Sequence, residues 1–319
     1  MHAYIAPGYR CNHECVCCPL STFDRLHGDV KPAALFAKTQ RLIDESREKH
    51  EPLFVTISGG EPFLYDETPE LIARLSRAGA RITVLSNAAR CRDEALIARL
   101  CSALAVPGRE RAERLCVTTA IHAADPAVHD AVTGRAGSLI ETIEGLDALH
   151  EMGAALTVKI ILHRVAAERL CETLDYLDEH FAPNVRVQLC GADFCGRAAK
   201  HRKELELPLR ELSPMLEGAL DHWAALQSSK NRAPRHLSII EAPLCLADPV
   251  YWPYFQPAAN NGAAYVAPND ETGEETGTSD PQCGTFYEEC GACAAKHWCQ
   301  GCWRSVYRPG TLIPVHETI

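Results

Sequence analysis

Residues 53–62 read LFVTISGGEP and residues 1–18 read MHAYIAPGYRCNHECVCC. The first stretch is a short run rich in branched aliphatic residues that ends on a glycine pair, an acid and a proline. The second is another short apolar run that opens into a loop carrying Cys11, Cys15 and Cys18 at C-x3-C-x2-C spacing. Both put a chemically loaded loop directly after a strand. In a parallel sheet, ligands bind beyond the carboxyl ends of the strands. A glycine pair there lets backbone N–H and C=O groups come close to a ligand. Three neighbouring thiolates suit three irons of a cubane cluster and leave the fourth iron open. A structural zinc ion wants four protein ligands, and His13 or Cys17 could supply the fourth.

Working outward, short apolar runs alternate with helical patterns up to about residue 230. Strands are expected at Ala3–Ala6, Leu53–Ser58, Arg81–Ser86, Leu115–Ile121, Leu156–Leu162 and Val185–Leu189, all rich in Val, Ile, Leu and Thr. Helices are expected near 32–49, 69–78, 93–104, 138–152 and 166–180. Pro69 and Asp93 suit helix starts, and Gly79 and Gly153 suit C-terminal stops. The alternation predicts an α/β fold with helices outside a parallel sheet. It leaves open whether the sheet curls into a barrel, because six strands are fewer than a full barrel's eight. Past Pro243 the alternation stops, 257–282 reads as a polar loop, and a cysteine-dense tail follows, so the domain boundary is expected at 232–243.

Composition narrows the function. The net charge of −10 disfavours a general nucleic-acid or anionic-membrane binder. No stretch approaches the ~18 apolar residues of a membrane helix, and Met1 to Arg10 lacks the pattern of a signal peptide. The expected location is therefore the cytoplasm, where sixteen cysteines point to metal or redox chemistry rather than disulfides.

Cys11-x3-Cys15-x2-Cys18 followed by Gly59-Gly60-Glu61-Pro62 resembles the radical S-adenosylmethionine (radical SAM) superfamily. The likeness continues through Leu85-Ser86-Asn87, Asp125-Pro126-x2-His129-Asp130, Gly137-Ser138 and Gly196-Arg197-Ala198, and so covers roughly residues 3–200. The resemblance implies a partial (β/α)6 barrel with a small cysteine-rich C-terminal extension. It also implies a [4Fe–4S] cluster on Cys11, Cys15 and Cys18, with the SAM amino group held by Gly59, Gly60, Glu61 and Pro62. Ser86 and Asn87 fall where relatives often touch the cofactor. Reductive cleavage of SAM would give a 5′-deoxyadenosyl radical that takes a hydrogen atom from substrate. Two residues depart from the pattern. Cys17 stands where an aromatic residue is usual and is read as a small hydrophobe, and His122 stands where many relatives carry an acid and is read as a satisfied barrel residue.

Six further cysteines, Cys245, Cys283, Cys290, Cys293, Cys299 and Cys302, crowd the tail. The Cys290-x2-Cys293-x5-Cys299 portion resembles the SPASM/twitch extension, which holds auxiliary iron–sulfur clusters. Two full clusters would take eight ligands, so one auxiliary [4Fe–4S] cluster is expected, with zinc as the rival. The expected division is a barrel over 1–235 and an auxiliary-cluster domain over 236–319. Cys91, Cys101, Cys116 and Cys171 are read as core fillers. Cys190 and Cys195 flank the mouth of the site. His163, His201 and His222 are read as surface or structural, and 197–203 as a solvated basic helix end.

The resemblance implies a ribosomally made peptide or protein as substrate, modified by cross-linking, epimerisation or oxidation. A small molecule (nucleoside, sugar or amino acid) is the alternative, and a non-catalytic zinc or iron–sulfur scaffold is the third reading. With the Cys11 motif so early, no separate N-terminal peptide-recognition domain is expected. The need for single electrons implies a flavodoxin- or ferredoxin-like donor.

Overall fold

The computed structural model describes residues 1–21, 28–256, 264–266, 284–303, 305–306, 312 and 314–315. Strand β1 (His2–Ile5) and helix α1 (Pro32–Glu48) lead to β2 (Phe54–Ile57), α2 (Thr68–Arg77) and β3 (Arg81–Leu85). Then come α3 (Glu94–Leu104), α4 (Gly108–Arg114), β4 (Leu115–Ala120), α5 (Pro126–Thr133), α6 (Ser138–Glu151) and β5 (Ala155–Leu162). Helices α7 (Arg164–Ala167) and α8 (Leu170–His180), strand β6 (Arg186–Gly191), helices α9 (Arg202–Leu205) and α10 (Leu209–Ser228), and strands β7 (Leu237–Ile240) and β8 (Ala264–Val266) complete the order. The sheet runs β7-β6-β5-β4-β3-β2-β1-β8 with every neighbouring pair parallel, so it is an open α/β sheet with helical crossovers.

All six expected strands form, within two residues at each end. Asp93 caps α3 by accepting from the Ala95 N–H at 2.9 Å, and Gly79 and Gly153 take positive φ of 80° and 90° at their helix ends. Two strands extend the expected set, one at each edge. β7 is four residues between prolines, and β8 is three residues inside the stretch read as loop, both too short for a periodic signal. The pattern 166–180 is two helices, not one, because Arg169 leaves helical geometry at φ −122°, ψ 19°.

The strands alternate. Ile5, Val55, Ile57, Ile82, Val84, Val117, Val158, Ile160, Val187 and Leu189 are buried in the main core with Leu71, Leu75, Leu100, Leu146, Leu174 and Trp223. The other face carries Tyr4, Thr118, Lys159 and Ile161 and lines a cavity. Register sets Ala120 beside Lys159, Lys159 beside Gln188, and Gln188 beside Ser238. A sheet with one aliphatic face and one mixed polar face is a container rather than a packed barrel.

The approach to β7 is fixed by charge. Asp178 of α8 meets Arg235 at 3.3 Å, Lys230 at 3.4 Å and the guanidinium of Arg232. Gln227 of α10 donates to the same carboxylate at 2.9 Å. Arg235 also donates to the carbonyls of Ala182, Phe181 and Val185, closing the turn between α8 and β6.

Candidate active site

The loop after β1 is pressed against the turn after β2. The Gly60 N–H donates to the Gly8 carbonyl at 3.0 Å and the Glu61 N–H to the Arg10 carbonyl at 2.8 Å. A Cβ on Gly60 would lie 2.0 Å from the Arg10 oxygen, so only glycine permits this approach. Tyr65 braces the loop from below, accepting from the Arg10 N–H at 2.8 Å and donating to Asp29 at 3.1 Å.

Cys11, Cys15 and Cys18 line one cavity of about 420 Å³ together with Gly59, Gly60, Glu61, Ser86 and Asn87. Strands whose ends, Ile5, Ile57 and Leu85, lie 52 and 80 residues apart in sequence therefore meet at one place. Pro62 does not line it but is buried as the start of a one-turn helix, Pro62–Leu64. Among the described residues, no three potential ligands that include Cys11, Cys15 or Cys18 have donor atoms within 4.8 Å of one another. That spread suits a multi-iron cluster better than a single ion, and the glycine cradle beside it suits a ligand that needs backbone contact. The residues fit both a [4Fe–4S] cluster and SAM.

Glu61 is buried, and burial pushes its pKa up. Its Oε1 accepts from the Phe63 N–H at 3.0 Å and from Ser86 Oγ at 2.8 Å, and its Oε2 accepts from the Asn87 N–H at 2.7 Å. One carboxylate thus locks the end of β3 to the end of β2. Asn87, so placed, donates to Asn12 Oδ1 at 2.7 Å in the cysteine loop. Glu61→Gln turns an amide N–H₂ toward one of these donors and is expected to lower stability by about 1–3 kcal/mol, read from the urea midpoint.

A histidine group that spacing hides stands beside the same cavity, with His122 and His129 in its wall. His163 Nδ1 accepts from the Ala166 N–H at 3.4 Å, so its Nε2 carries the proton and donates to His122 Nδ1 at 3.3 Å. His122 Nε2 then faces Cys17 Sγ at 3.9 Å. The His122 backbone N–H donates to His129 Nδ1 at 3.2 Å. Burial keeps all three imidazoles neutral, with His129 and His163 lowered to about 4 and His122 pushed well below its usual range. His163 is therefore structural and not a surface residue. His222 pairs with Asp175 at 2.7 Å.

Several other residues differ from expectation. Cys91 is buried, but Cys171 is exposed and Cys101 and Cys116 are half-buried. Cys116 faces Thr157 at 3.6 Å and accepts from Arg186 at 3.4 Å, because its place in β4 turns it to the polar face. The basic stretch 197–203 is not simply solvated. Arg197 pairs with Glu14 in the cysteine loop, and Arg202 donates to the Ser305 carbonyl of the tail.

Five tail cysteines, Cys245, Cys290, Cys293, Cys299 and Cys302, line one small second cavity, and Cys283 lies outside the described residues. Backbone N–H groups of Leu244 and Gly301 both donate to Cys299 Sγ at 3.3 Å, and that of Val315 donates to Cys293 Sγ at 3.4 Å. Ser305 donates to Asp193 at 2.6 Å and accepts from the Phe194 N–H at 2.9 Å, so the tail is docked on the loop after β6.

Residues 5–177, over half of the chain, match the family described as the radical SAM superfamily. The chain belongs to this superfamily. Membership implies a [4Fe–4S] cluster and SAM as cofactors. The chain is 24% identical over 158 residues to the antilisterial bacteriocin subtilosin biosynthesis protein AlbA of Bacillus subtilis (strain 168), covering 50% of this chain and 32% of AlbA. It thus spans about a third of that curated relative. The fold matches Streptococcus suis SuiB bound to precursor peptide SuiA with a TM-score of 0.65 at 14% identity, over 98% of this chain and 75% of SuiB. It matches anSMEcpe with bound AdoMet with a TM-score of 0.66 at 13% identity, over 98% of this chain and 93% of that one. No described helix is long and apolar enough to cross a membrane.

Proposed function

We propose that this radical SAM enzyme modifies a ribosomally made peptide or protein, by cross-linking, epimerisation or oxidation. The observation that carries the reading is the reach of the likeness: matches to a peptide-bound SuiB and to anSMEcpe run through 98% of the chain, past the sheet and into the cysteine-rich tail. AlbA, a bacteriocin biosynthesis protein, adds support over half of the chain.

Cys11, Cys15 and Cys18 are the residues proposed to hold the [4Fe–4S] cluster, with Gly59, Gly60, Glu61, Pro62, Ser86 and Asn87 as the SAM-binding set. When bound, the cluster and SAM supply one-electron cleavage to a carbon radical that abstracts hydrogen. The chain's own part is to exclude water from the 420 Å³ cavity, to hold the cysteine loop against the glycine turn, and to present the inner strand faces to substrate. Glu61 accepts from Phe63, Ser86 and Asn87, so its part is to orient the ends of β2 and β3 around the site.

Residues 236–319 are proposed as an auxiliary-cluster domain that lends β7 and β8 to the sheet. Among the described residues, no three of Cys245, Cys290, Cys293, Cys299 and Cys302 have sulfurs within 4.8 Å of one another, which favours an auxiliary [4Fe–4S] cluster over a zinc ion. A flavodoxin- or ferredoxin-like protein is the proposed electron donor. Replacing Cys290 and Cys293 together is expected to remove about four irons per chain from the reconstituted protein, and unchanged iron and sulfide would end the auxiliary-cluster reading.

The function is tested with anaerobically reconstituted enzyme, SAM and dithionite. Short peptides encoded beside its gene are offered in one arm, and free nucleosides, sugars and amino acids in the other. A peptide product with altered mass or stereochemistry supports the proposal. Turnover of a free metabolite with every peptide untouched replaces it with the small-molecule reading.

A further inference from the structure

Polar groups that serve neither the cysteine loop nor the glycine turn gather on the inner wall made by β5, β6 and β7. Lys159 of β5 lines the cavity. Glu241 follows the last residue of β7 with φ +56°, in the left-handed region that non-glycine residues avoid. Three features hold it there. Its N–H donates to Gln300 Oε1 at 2.9 Å, between Cys299 and Cys302 in the tail. Its Oε2 accepts the Cys190 S–H at 2.8 Å. Gly191 makes room, because a Cβ there would lie 1.9 Å from the Glu241 oxygen. A strained backbone at a strand's carboxyl end, fixed by three separate elements, is a sign of function rather than of packing.

What this strained residue serves is Lys159. Burial works against the ammonium, yet Cys190 on β6, Glu241 after β7 and Tyr4 on β1 together raise its pKa. The lysine therefore stays charged inside the cavity. Among the described residues its Nζ has neither a hydrogen-bond acceptor nor an ion-pair partner within 4.0 Å. A half-buried ammonium has three donors to satisfy, and leaving them unmet is costly. An acceptor brought by a ligand resolves this. One negative charge suits the place, whereas a phosphate with nearly two would meet the nearby Glu241.

We propose that Lys159 is a specificity residue that binds a carboxylate of the substrate, with Glu241 as its positioning residue. The proposal deepens the peptide reading and rests on it for the substrate being a peptide. The carboxylate then belongs to an Asp or Glu side chain or to the peptide's C-terminus.

The test uses the reconstituted holoenzyme with SAM bound and no reductant. Three probes are titrated by ligand-observed NMR: N-acetylglutamate α-amide (side-chain acid), N-acetylglutamine (C-terminal acid) and N-acetylglutamine α-amide (no acid). At least one acid probe is expected to bind about tenfold or more tighter than the neutral one, and the one preferred identifies the source. Lys159→Met is expected to erase that preference and Lys159→Arg to keep it, with SAM affinity unchanged in both. Glu241→Gln is expected to lower the pH above which acid binding is lost, an effect that a merely structural role does not produce. Equal binding of acid and neutral probes, or a preference that survives in Lys159→Met, overturns the proposal. So does a loss of SAM affinity in Lys159→Met, which would assign the lysine to the SAM carboxylate. An unmoved pH limit in Glu241→Gln removes Glu241 from its role. None of the probes needs to turn over, so a small-molecule substrate in the earlier assay would overturn the peptide reading and leave this site standing.

Discussion

Cys15→Ala is expected to abolish dithionite-driven formation of 5′-deoxyadenosine, a loss of at least about 10³-fold, and to remove about four irons per chain. The fold survives the change. The Cys15 side chain is half-buried at the edge of a small cluster with Cys17, Val132, Ala192 and Phe194. The loop's shape is held by backbone contacts that alanine keeps: Glu14 N–H to the Thr133 carbonyl at 2.9 Å and Val16 N–H to the Val132 carbonyl at 2.8 Å. Losing two methylenes' worth of packing costs about 1–2 kcal/mol, too little to unfold a chain with so extensive an aliphatic core. Cys17→Ala is the control. Its thiol sits on the same loop but faces His122, and the variant is expected to keep its iron and its cleavage activity. Iron retained by Cys15→Ala and lost by Cys17→Ala would reassign the ligand set. Iron counts, sulfide counts and quantified 5′-deoxyadenosine read all of these outcomes.

The sheet was legible because its strands are dense in branched aliphatics and its loops carry glycine at the ends. β2 to β6 lie where those runs predict them. β7 and β8 were not legible, since four and three residues cannot state a period, and their pairing is set by what surrounds them. β7 follows a segment anchored by Arg235 to the α8–β6 turn, and β8 adds to the free edge of β1. The curl of the sheet is a property of twist and of the cavity's contents, so the residues alone left it open.

The site divides in the same way. Cys11, Cys15, Cys18 and Gly59–Glu61 announce themselves by local spacing. The histidine chain does not, because Cys17, His122 and His163 are 105 and 41 residues apart and meet only through the sheet. The only local sign of His163's role is its place just before a short helix, where its ring accepts the Ala166 N–H. Lys159 was unreadable for a different cause: a lysine inside an aliphatic strand looks like an edge residue until register puts it opposite Gln188 on the inner face. Glu241 depends on backbone strain, which no composition reports.

Asp178→Ala is expected to destabilise the protein by about 3–5 kcal/mol, the typical result of removing one partner from a buried ion network. The side chains of Asp178 and Arg235 are both fully buried, and Arg232 and Lys230 add two further positive charges to the same carboxylate. Without it, three cations face one another beside β7, and Gln227 loses its acceptor. The pH dependence separates the charge from the packing. Burial alone would raise the Asp178 pKa, but Gln227, Arg232 and Arg235 outweigh it and hold the group at about 2, below its ordinary 3.8. A lowered folded-state pKa contributes stability that is complete above the unfolded value and is lost as pH falls through the folded one. The gap in urea stability between parent and Asp178→Asn is therefore expected to be constant from pH 7 down to about 5 and to shrink only below about 4. A gap that already closes between pH 7 and 5 would mean that a histidine, not this carboxylate, carries the network. The same variant reports on the site at a distance. Arg235 lies six residues before Glu241 along β7, so loosening the network is expected to weaken acid-probe binding at Lys159 while leaving iron content intact.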